Sequence, residues 1–405
     1  MKTSISVLSL ILRAIPLISV ASSTSPTPQT PIDAGSEYSQ YIDDKSDVIN
    51  LHKDLVSIES ITGNEYRVGQ YLAQYLSFRN FTVETQLVPP FEEASHDRPR
   101  LNIFAYIGEA RNTRLLITSH MDTVAPYIPY YRSSNGEGND ICGRGTTDAK
   151  GCIASQITAV EELAGDGSIH EGDIALLFVV GEEKNGAGMK TASDLFQQDG
   201  LTWEAVIFGE PSEHKLILGH KGGLVTEITA YGKAAHSSYP ELGVNANSIL
   251  IRILTAIEAM ELPGSEKLGD TTTNIGVMQG GVALNVIPDK AAATLLTRLA
   301  SGTPEEAMGR IKAVIESLEF EEGRVEVAFG HRFAPVDCDA DIDGFETDVK
   351  RGGTDVPNLK GEHKRYLYGP GSAVSAHSDH ECVTIENLHK GVDDYKVIIQ
   401  ELLAR

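Results

Sequence analysis

Histidines and carboxylates recur along this 405-residue chain at places where several of them could share a cation. His120 and Asp122 follow the run Leu115 to Ser119, which reads as a buried strand. Side chains two apart on extended backbone leave on the same face, so this pair stands side by side. A neutral imidazole binds a metal through one nitrogen while a carboxylate holds its other N–H. Asp148 follows in the run G-R-G-T-T-D-A-K-G, where Gly143, Gly145 and Gly151 let the backbone fold tightly enough to bring a second carboxylate to the same place. Glu182 and Glu183 come just past the run Asp173 to Val180. Adjacent carboxylates cannot both point one way, which suggests one for metal and one for substrate. Glu210 follows a third strand-like run, Ala205 to Phe208, and His377 and His380 lie in A-H-S-D-H-E ahead of an amphipathic terminal helix. Taken singly, each reads equally well as a solvated turn. Taken together, His120, Asp148, Glu183, Glu210 and one late histidine form a hard-to-borderline donor set that suits two zinc ions sharing one bridging carboxylate, with cobalt or manganese as alternatives.

The elements that must position these residues follow from periodicity. Apolar residues from Ser46 to Phe78 recur at helical spacing with a break at Ser60 to Gly63, predicting two helices. Phe81 to Leu87 and Asn102 to Ile107 alternate like paired strands, and Ile153 to Leu163 reads as a helix beneath the Asp148 loop. Open α/β sheets keep their sites at the carboxyl ends of their strands, where His120, Glu183 and Glu210 are placed by this reading.

Length makes more than one domain the expectation. Acidic residues outnumber basic ones 57 to 34, a formal charge of −23, which disfavours nucleic acid or an anionic membrane as partner and leaves metal cations welcome. Lys2, the apolar run Ile5 to Val20 and the small residues Ser19 to Ala21 resemble a signal peptide, although Arg13 interrupts the run. The expectation is a secreted, extracellular protein with a signal peptide at 1–21 and a disordered mature terminus at 22–45, rich in Ser, Thr and Pro. Asn80 begins the sequon Asn80-Phe81-Thr82 and is the expected glycosylation site. The four cysteines match no zinc-finger pattern; their spacing permits one bridge, Cys142 to Cys152 across the Asp148 loop, with buried free thiols as the competing reading.

In order, S-H-M-D-T-V, G-R-G-T-T-D-A-K-G, G-E-E, G-E-P-S, G-K-A-A-H-S-S-Y-P and A-H-S-D-H-E resemble the dinuclear-zinc peptidase family of acetylornithine deacetylase, succinyl-diaminopimelate desuccinylase, aminoacylase and glutamate carboxypeptidase, from Ser46 to the C-terminus. The resemblance implies one zinc held by His120 and Glu210, the other by Glu183 and His377, and Asp148 bridging. Asp122 would orient His120, Glu182 would be the general base, and His236 would reach the substrate carbonyl, often in a partner subunit. Asn285 and Arg298 would bind substrate carboxylate. Leu296 replaces the acid commonly found two residues before that arginine, and His380 replaces the acid or asparagine usual before Glu381, so His377 is the better ligand.

The same resemblance implies an α/β fold: a catalytic domain with a mixed sheet flanked by helices, formed by 46–221 and 331–405, and an inserted α+β ferredoxin-like lid at 222–330, through which many such proteins dimerise. The implied activity is that of a secreted zinc carboxypeptidase cutting an amide beside a free C-terminal carboxylate. The alternatives are an N-acyl amino acid deacylase, which shares every motif, and an inactive relative that keeps its metals. Substrate is then a peptide or an N-acyl amino acid.

Overall fold

A computed structural model describes residues 48–91, 98–133, 140–320 and 322–405. The expected signal peptide and mature terminus, 1–45, lie outside the described residues. Among the described residues no helix is long and apolar enough to cross a membrane.

The helices expected at the start are α1 (Val48–Ser57) and α2 (Tyr66–Phe78), each burying one stripe, with Leu51, Leu55 and Val56 on the first and Val68, Tyr71, Leu72, Tyr75 and Leu76 on the second. There follow β1 (Phe81–Val88), β2 (Arg100–Ile107), β3 (Leu115–His120), the short β4 (Tyr131–Arg132) and β5 (Asp140–Cys142), then α3 (Lys150–Gly165), β6 (Ile174–Val179), α4 (Ala187–Asp199), β7 (Ala205–Gly209) and β8 (Leu216–His220). The next segment holds β9 (Gly222–Tyr231), β10 (Ala235–His236), α5 (Ala246–Glu258), β11 (Thr272–Gly280), β12 (Val286–Ile287), β13 (Lys290–Leu299), α6 (Pro304–Ser317) and β14 (Arg324–Phe333). The chain closes with β15 (Val336–Asp337), β16 (Thr347–Lys350), β17 (Lys364–Tyr368), β18 (Cys382–Thr384) and α7 (Ile385–Leu403).

The chain divides into two compact units. The larger comprises the described residues up to Gly219 with Asp337–Val349 and Thr354–Arg405. Its main sheet has the order β1-β2-β6-β3-β7-β17. The first two pairings are antiparallel, and β6, β3, β7 and β17 run parallel. Parallel strands covered on both faces need unbroken apolar sequence; all six residues of β3 and of β6 are buried. Ile117, 0% exposed, sits in the middle of β3, where truncation to alanine is expected to lower the unfolding free energy read by urea titration by about 2–5 kcal/mol. On the helical side, Ile153, Ile157 and Val160 of α3 share a core with Leu388, Val392 and Ile399 of α7.

Two elements of this unit are not apparent from periodicity. The interior of α4 is too polar to show a strong stripe, yet it is bounded by Gly186 and Gly200, both left-handed (φ 63° and 71°), which start and stop it. The run Lys364 to Tyr368 is too short to be recognised, and it pairs in parallel with β7 to extend the sheet.

The second unit holds His220–Val336 and Lys350–Gly353, whereas the sequence alone ends the insertion near Gly330. Its β-α-β-β-α-β succession gives an antiparallel sheet in the order β11-β13-β9-β14, the ferredoxin-like arrangement. Ile249, Leu250 and Ile253 of α5 and Ile311 and Ile315 of α6 cover it, packing on Leu224, Ile228 and Leu295. The start of α6 is written locally: Thr303 and Glu306 form a reciprocal capping box around Pro304.

One buried group makes stability depend on pH. His52, on α1, donates from Nε2 to the Thr146 carbonyl at 2.9 Å, and its Nδ1 is buried with no hydrogen-bond partner among the described residues. A proton on Nδ1 would have nowhere to donate, and burial holds this imidazole down at about 4. Between that value and the unfolded value near 6.5 the unfolded chain binds more protons, so stability is full above pH 6.5 and falls as pH drops toward 4, by about 3 kcal/mol from this residue. His52→Gln keeps a donor for Thr146 and is expected to shrink the difference in urea midpoint between pH 7 and pH 5; an unchanged difference would show that other groups set the acid limit.

Candidate metal centre

β6, β3 and β7 are parallel neighbours, so their carboxyl ends open on one edge of the sheet. His120 ends β3, Glu182 and Glu183 follow β6, and Glu210 follows β7. Asp148 arrives immediately before α3, and His377 arrives in the loop from β17 to β18 with a left-handed backbone (φ 63°).

Two clusters result, and they share one residue. Ligand atoms of His120, Asp148 and Glu210 lie within 4.8 Å of one another, and so do those of Asp148, Glu183 and His377. Asp148 faces both: its Oδ1 is 3.0 Å from His120 Nε2 and its Oδ2 is 3.4 Å from His377 Nε2. His377 Nε2 also lies 2.9 Å from Glu183 Oε2, and Glu210 Oε1 is 3.9 Å from His120 Nε2. The structure therefore brings together all five residues singled out as ligands. His380 is exposed and belongs to neither cluster.

Asp122 works differently from the expectation. His120 Nδ1 is 3.0 Å from the Asp122 backbone carbonyl and 3.7 Å from its carboxylate, so the main chain holds the imidazole N–H and leaves Nε2 for the cluster. The Asp122 carboxylate instead accepts the N–H groups of Glu182 (3.1 Å) and Glu183 (3.2 Å) and the hydroxyl of Thr62 (2.7 Å). It fixes the turn from which the two glutamates diverge. Glu183 points to His377, while Glu182 lines a small cavity with Ser119, His120, Glu210, Thr354 and Asp355.

Asp355 was not visible in the sequence. It is 5% exposed, its Oδ1 accepts from Asn358 Nδ2 at 2.7 Å, and its Oδ2 is buried with no hydrogen-bond partner among the described residues. Gly186 lets this turn approach: a Cβ there would lie 2.2 Å from Asn358 Nδ2 and 2.8 Å from Asp355 Oδ1. The G-G-T-D run carries the signal of a tight turn but nothing that places it beside Glu182.

So many acids in one pocket repel one another. Burial, then the charge of Glu210, pushes Glu182 well above the usual carboxylate range, and burial with the charge of Asp148 lifts Glu183 to about 7. Burial likewise raises Asp355 to about 7 against the opposing Asn358 hydrogen bond. Asp148 and Glu183 raise His377 to about 10. Burial disfavours charge on His120, and the hydrogen bond to Asp148 with the surrounding carboxylates more than offsets it. These shifts describe a pocket that requires positive charge, supplied by protons or by cations. Two imidazole nitrogens with three carboxylates fit borderline divalent ions such as zinc.

The remaining predicted residues are on the other unit. His236, on β10, is exposed and its Nδ1 accepts the Ser238 N–H at 3.1 Å. Asn285 is exposed and Arg298, on β13, is half-buried. The cysteine pairing is corrected: Cys142 is bonded to Cys382, directly opposite it on the antiparallel pair β5 and β18, and Cys152, buried on α3, is in no disulfide. Proximity in sequence misleads here because α3 begins between Cys142 and Cys152 and carries the second away.

Residues 218–322 match the sequence family described as the peptidase dimerisation domain. A probable carboxypeptidase of Aspergillus niger is 41% identical over 410 residues, covering 96% of this chain and 97% of that protein. The chain belongs to the M20 peptidase family. A peptidase M20 domain-containing protein of Schizosaccharomyces pombe is 42% identical over 353 residues, covering 87% of this chain and 84% of its own. The M20 family metallo-carboxypeptidase of Sulfolobus solfataricus shares the fold at a TM-score of 0.70 and 19% identity, over 89% of this chain and all of that one. This M20 chain is thus a hydrolase of the peptidase type, with a dimerisation domain and a candidate metal site.

Metal and protons compete for the clusters. Stabilisation by added zinc, read as the rise in melting temperature over chelated protein, is expected to grow as pH increases from 5 to 7.5, because the ligands must be deprotonated to bind. A zinc effect independent of pH would argue against these groups as the ligands.

Proposed function

We propose that this chain is a secreted zinc carboxypeptidase that hydrolyses the amide beside a free C-terminal carboxylate. The observation that carries the reading is Asp148, common to both three-residue clusters with one oxygen toward each histidine. His120 and Glu210 would hold one ion and Glu183 and His377 the other, with Asp148 between them. Bound there, two zinc ions supply Lewis-acid polarisation of a carbonyl and lower the pKa of a bound water toward neutrality. Glu182 is the general base: Asp122 fixes its backbone, and its side chain is free of the two clusters. It takes a proton from the attacking water and returns it to the leaving amine. His236 donates to the substrate oxygen as negative charge develops there. Asn285 and Arg298 bind the free carboxylate, which suits a planar guanidinium able to pair through two N–H groups. The dimerisation domain supports a homodimer, and the carboxypeptidase name of the Aspergillus relative supports peptide over N-acyl amino acid as substrate.

Glu182→Gln is expected to bind two zinc ions per chain and to lose about 10²–10⁴-fold in kcat on C-terminally free dipeptides; full activity in this variant would remove Glu182 from the chemistry. In a parallel panel, hydrolysis of dipeptides abolished by a chelator supports the carboxypeptidase, turnover of N-acetyl amino acids alone moves the reading to a deacylase, and silence on both with metals bound leaves an inactive relative.

Secretion carries its own test. Asn80 is exposed on the left-handed turn between α2 and β1 (φ 64°). Protein recovered from the culture medium of a eukaryotic host should shorten on endoglycosidase treatment, and Thr82→Ala should abolish that shift. Retention in the cell of full-length, unglycosylated protein would overturn this part of the reading.

A further inference from the structure

We infer that Glu381 is a positioning residue that fixes both metal-ligand loops at once, acting with Arg144; the inference rests on the two-metal reading and assigns this pair a role in metal affinity. Glu381 is the end of the A-H-S-D-H-E motif, and its side chain is 1% exposed. Its Oε1 accepts three backbone N–H groups, from Gly145 (3.0 Å), Thr147 (3.0 Å) and Asp148 itself (3.2 Å). N–H groups of one tight loop converging on a carboxylate oxygen form an anion nest, and the loop that presents Asp148 is folded around it. The second oxygen, Oε2, accepts from Arg144 Nη1 at 2.8 Å.

Arg144 carries the constraint onward to the other loop. Its Nη1 also donates to the Ser378 carbonyl at 3.0 Å and its Nη2 to the His377 carbonyl at 3.4 Å, while Nε donates to the Pro126 carbonyl at 3.3 Å. One guanidinium thus holds the Glu381 carboxylate and the backbone of the residue proposed as ligand to the second ion. The main chain repeats the tie: Gly143 N–H and Thr146 Oγ1 both donate to the Glu381 carbonyl, and the Cys142–Cys382 disulfide flanks the pair. Glu381 offers no ligand atom to either cluster, so it acts by setting where Asp148 and His377 stand.

The charge and both oxygens matter. In Glu381→Gln the amide nitrogen, a donor only, must face either Arg144 or the three N–H groups, so donors oppose donors wherever it turns. Groups that orient metal ligands typically change affinity 10–100-fold when removed. In Arg144→Lys the ion pair with Glu381 survives, but a single ammonium lacks the planar fork needed to hold the His377 and Ser378 carbonyls as well.

The test is metal binding by the full chain, stripped with a chelator and titrated with zinc against a chromophoric competitor, with the visible spectrum of the cobalt-loaded protein as a second readout. The unaltered chain should bind two ions. Glu381→Gln should weaken both by about 10-fold or more. Arg144→Lys should weaken one ion and spare the other, with a cobalt spectrum altered for that site alone. Wild-type affinities and spectra in both variants, accompanied only by a lower melting temperature, would overturn the inference and leave a structural ion pair. Fewer than two ions on the unaltered chain would instead overturn the two-metal reading beneath it, a result obtained before any variant is made. Where Glu381→Gln fails to fold, the selective loss in Arg144→Lys decides the matter alone.

Discussion

Asp148 directs one carboxylate oxygen at His120 and the other at His377, and the surrounding structure is arranged so that this double contact can occur. The two histidines come from parts of the chain that share no strand: one ends β3, the other sits in a loop entered from β17. A carboxylate placed between them needs its own backbone held firmly, because a small rotation would lose one partner while keeping the other. The nest of N–H groups on Glu381 supplies that hold. The parallel sheet then brings Glu183 and Glu210 to the same edge by the ordinary geometry of its strands.

Crowded in this way, the acids favour positive charge among them. Burial and neighbouring carboxylates raise Glu183 and Asp355 to about 7 and push Glu182 well above the usual carboxylate range. The fold tolerates the crowding because it is confined to strand ends, above strands whose buried residues make up an uninterrupted apolar core. Stability is thus drawn from Ile117, Leu176 and Ile207 and their neighbours, while the carboxylates at the rim are held in positions they would not choose for themselves.

Much of this was legible in the sequence because a short run rich in apolar residues reads as a buried strand, so a histidine or glutamate at its end stands out. His120, Glu183 and Glu210 stand out in this way. What escaped notice depended on tertiary return. Asp355 reaches the cavity through a turn admitted by Gly186, far away in sequence. The orienting group on His120 is the carbonyl of Asp122 rather than its carboxylate, a distinction of rotamer that spacing does not carry. Residue types alone leave His377 and His380 open; the resemblance selects His377, whose ring lies beside Glu183 from a left-handed backbone. The partner of Cys142 is 240 residues away, across a β-pair too short to be read.

That separation has a topological result. The bond from Cys142 to Cys382 closes a covalent ring, and the whole of the unit formed by His220–Val336 lies on the ring's circumference. A protease that cut an exposed loop of that unit, such as the one bearing Val282 and Leu284, would open the ring without releasing either piece. The two halves of the larger unit would remain one molecule, separable only under reducing conditions, with the sheet and both histidines still tethered to each other.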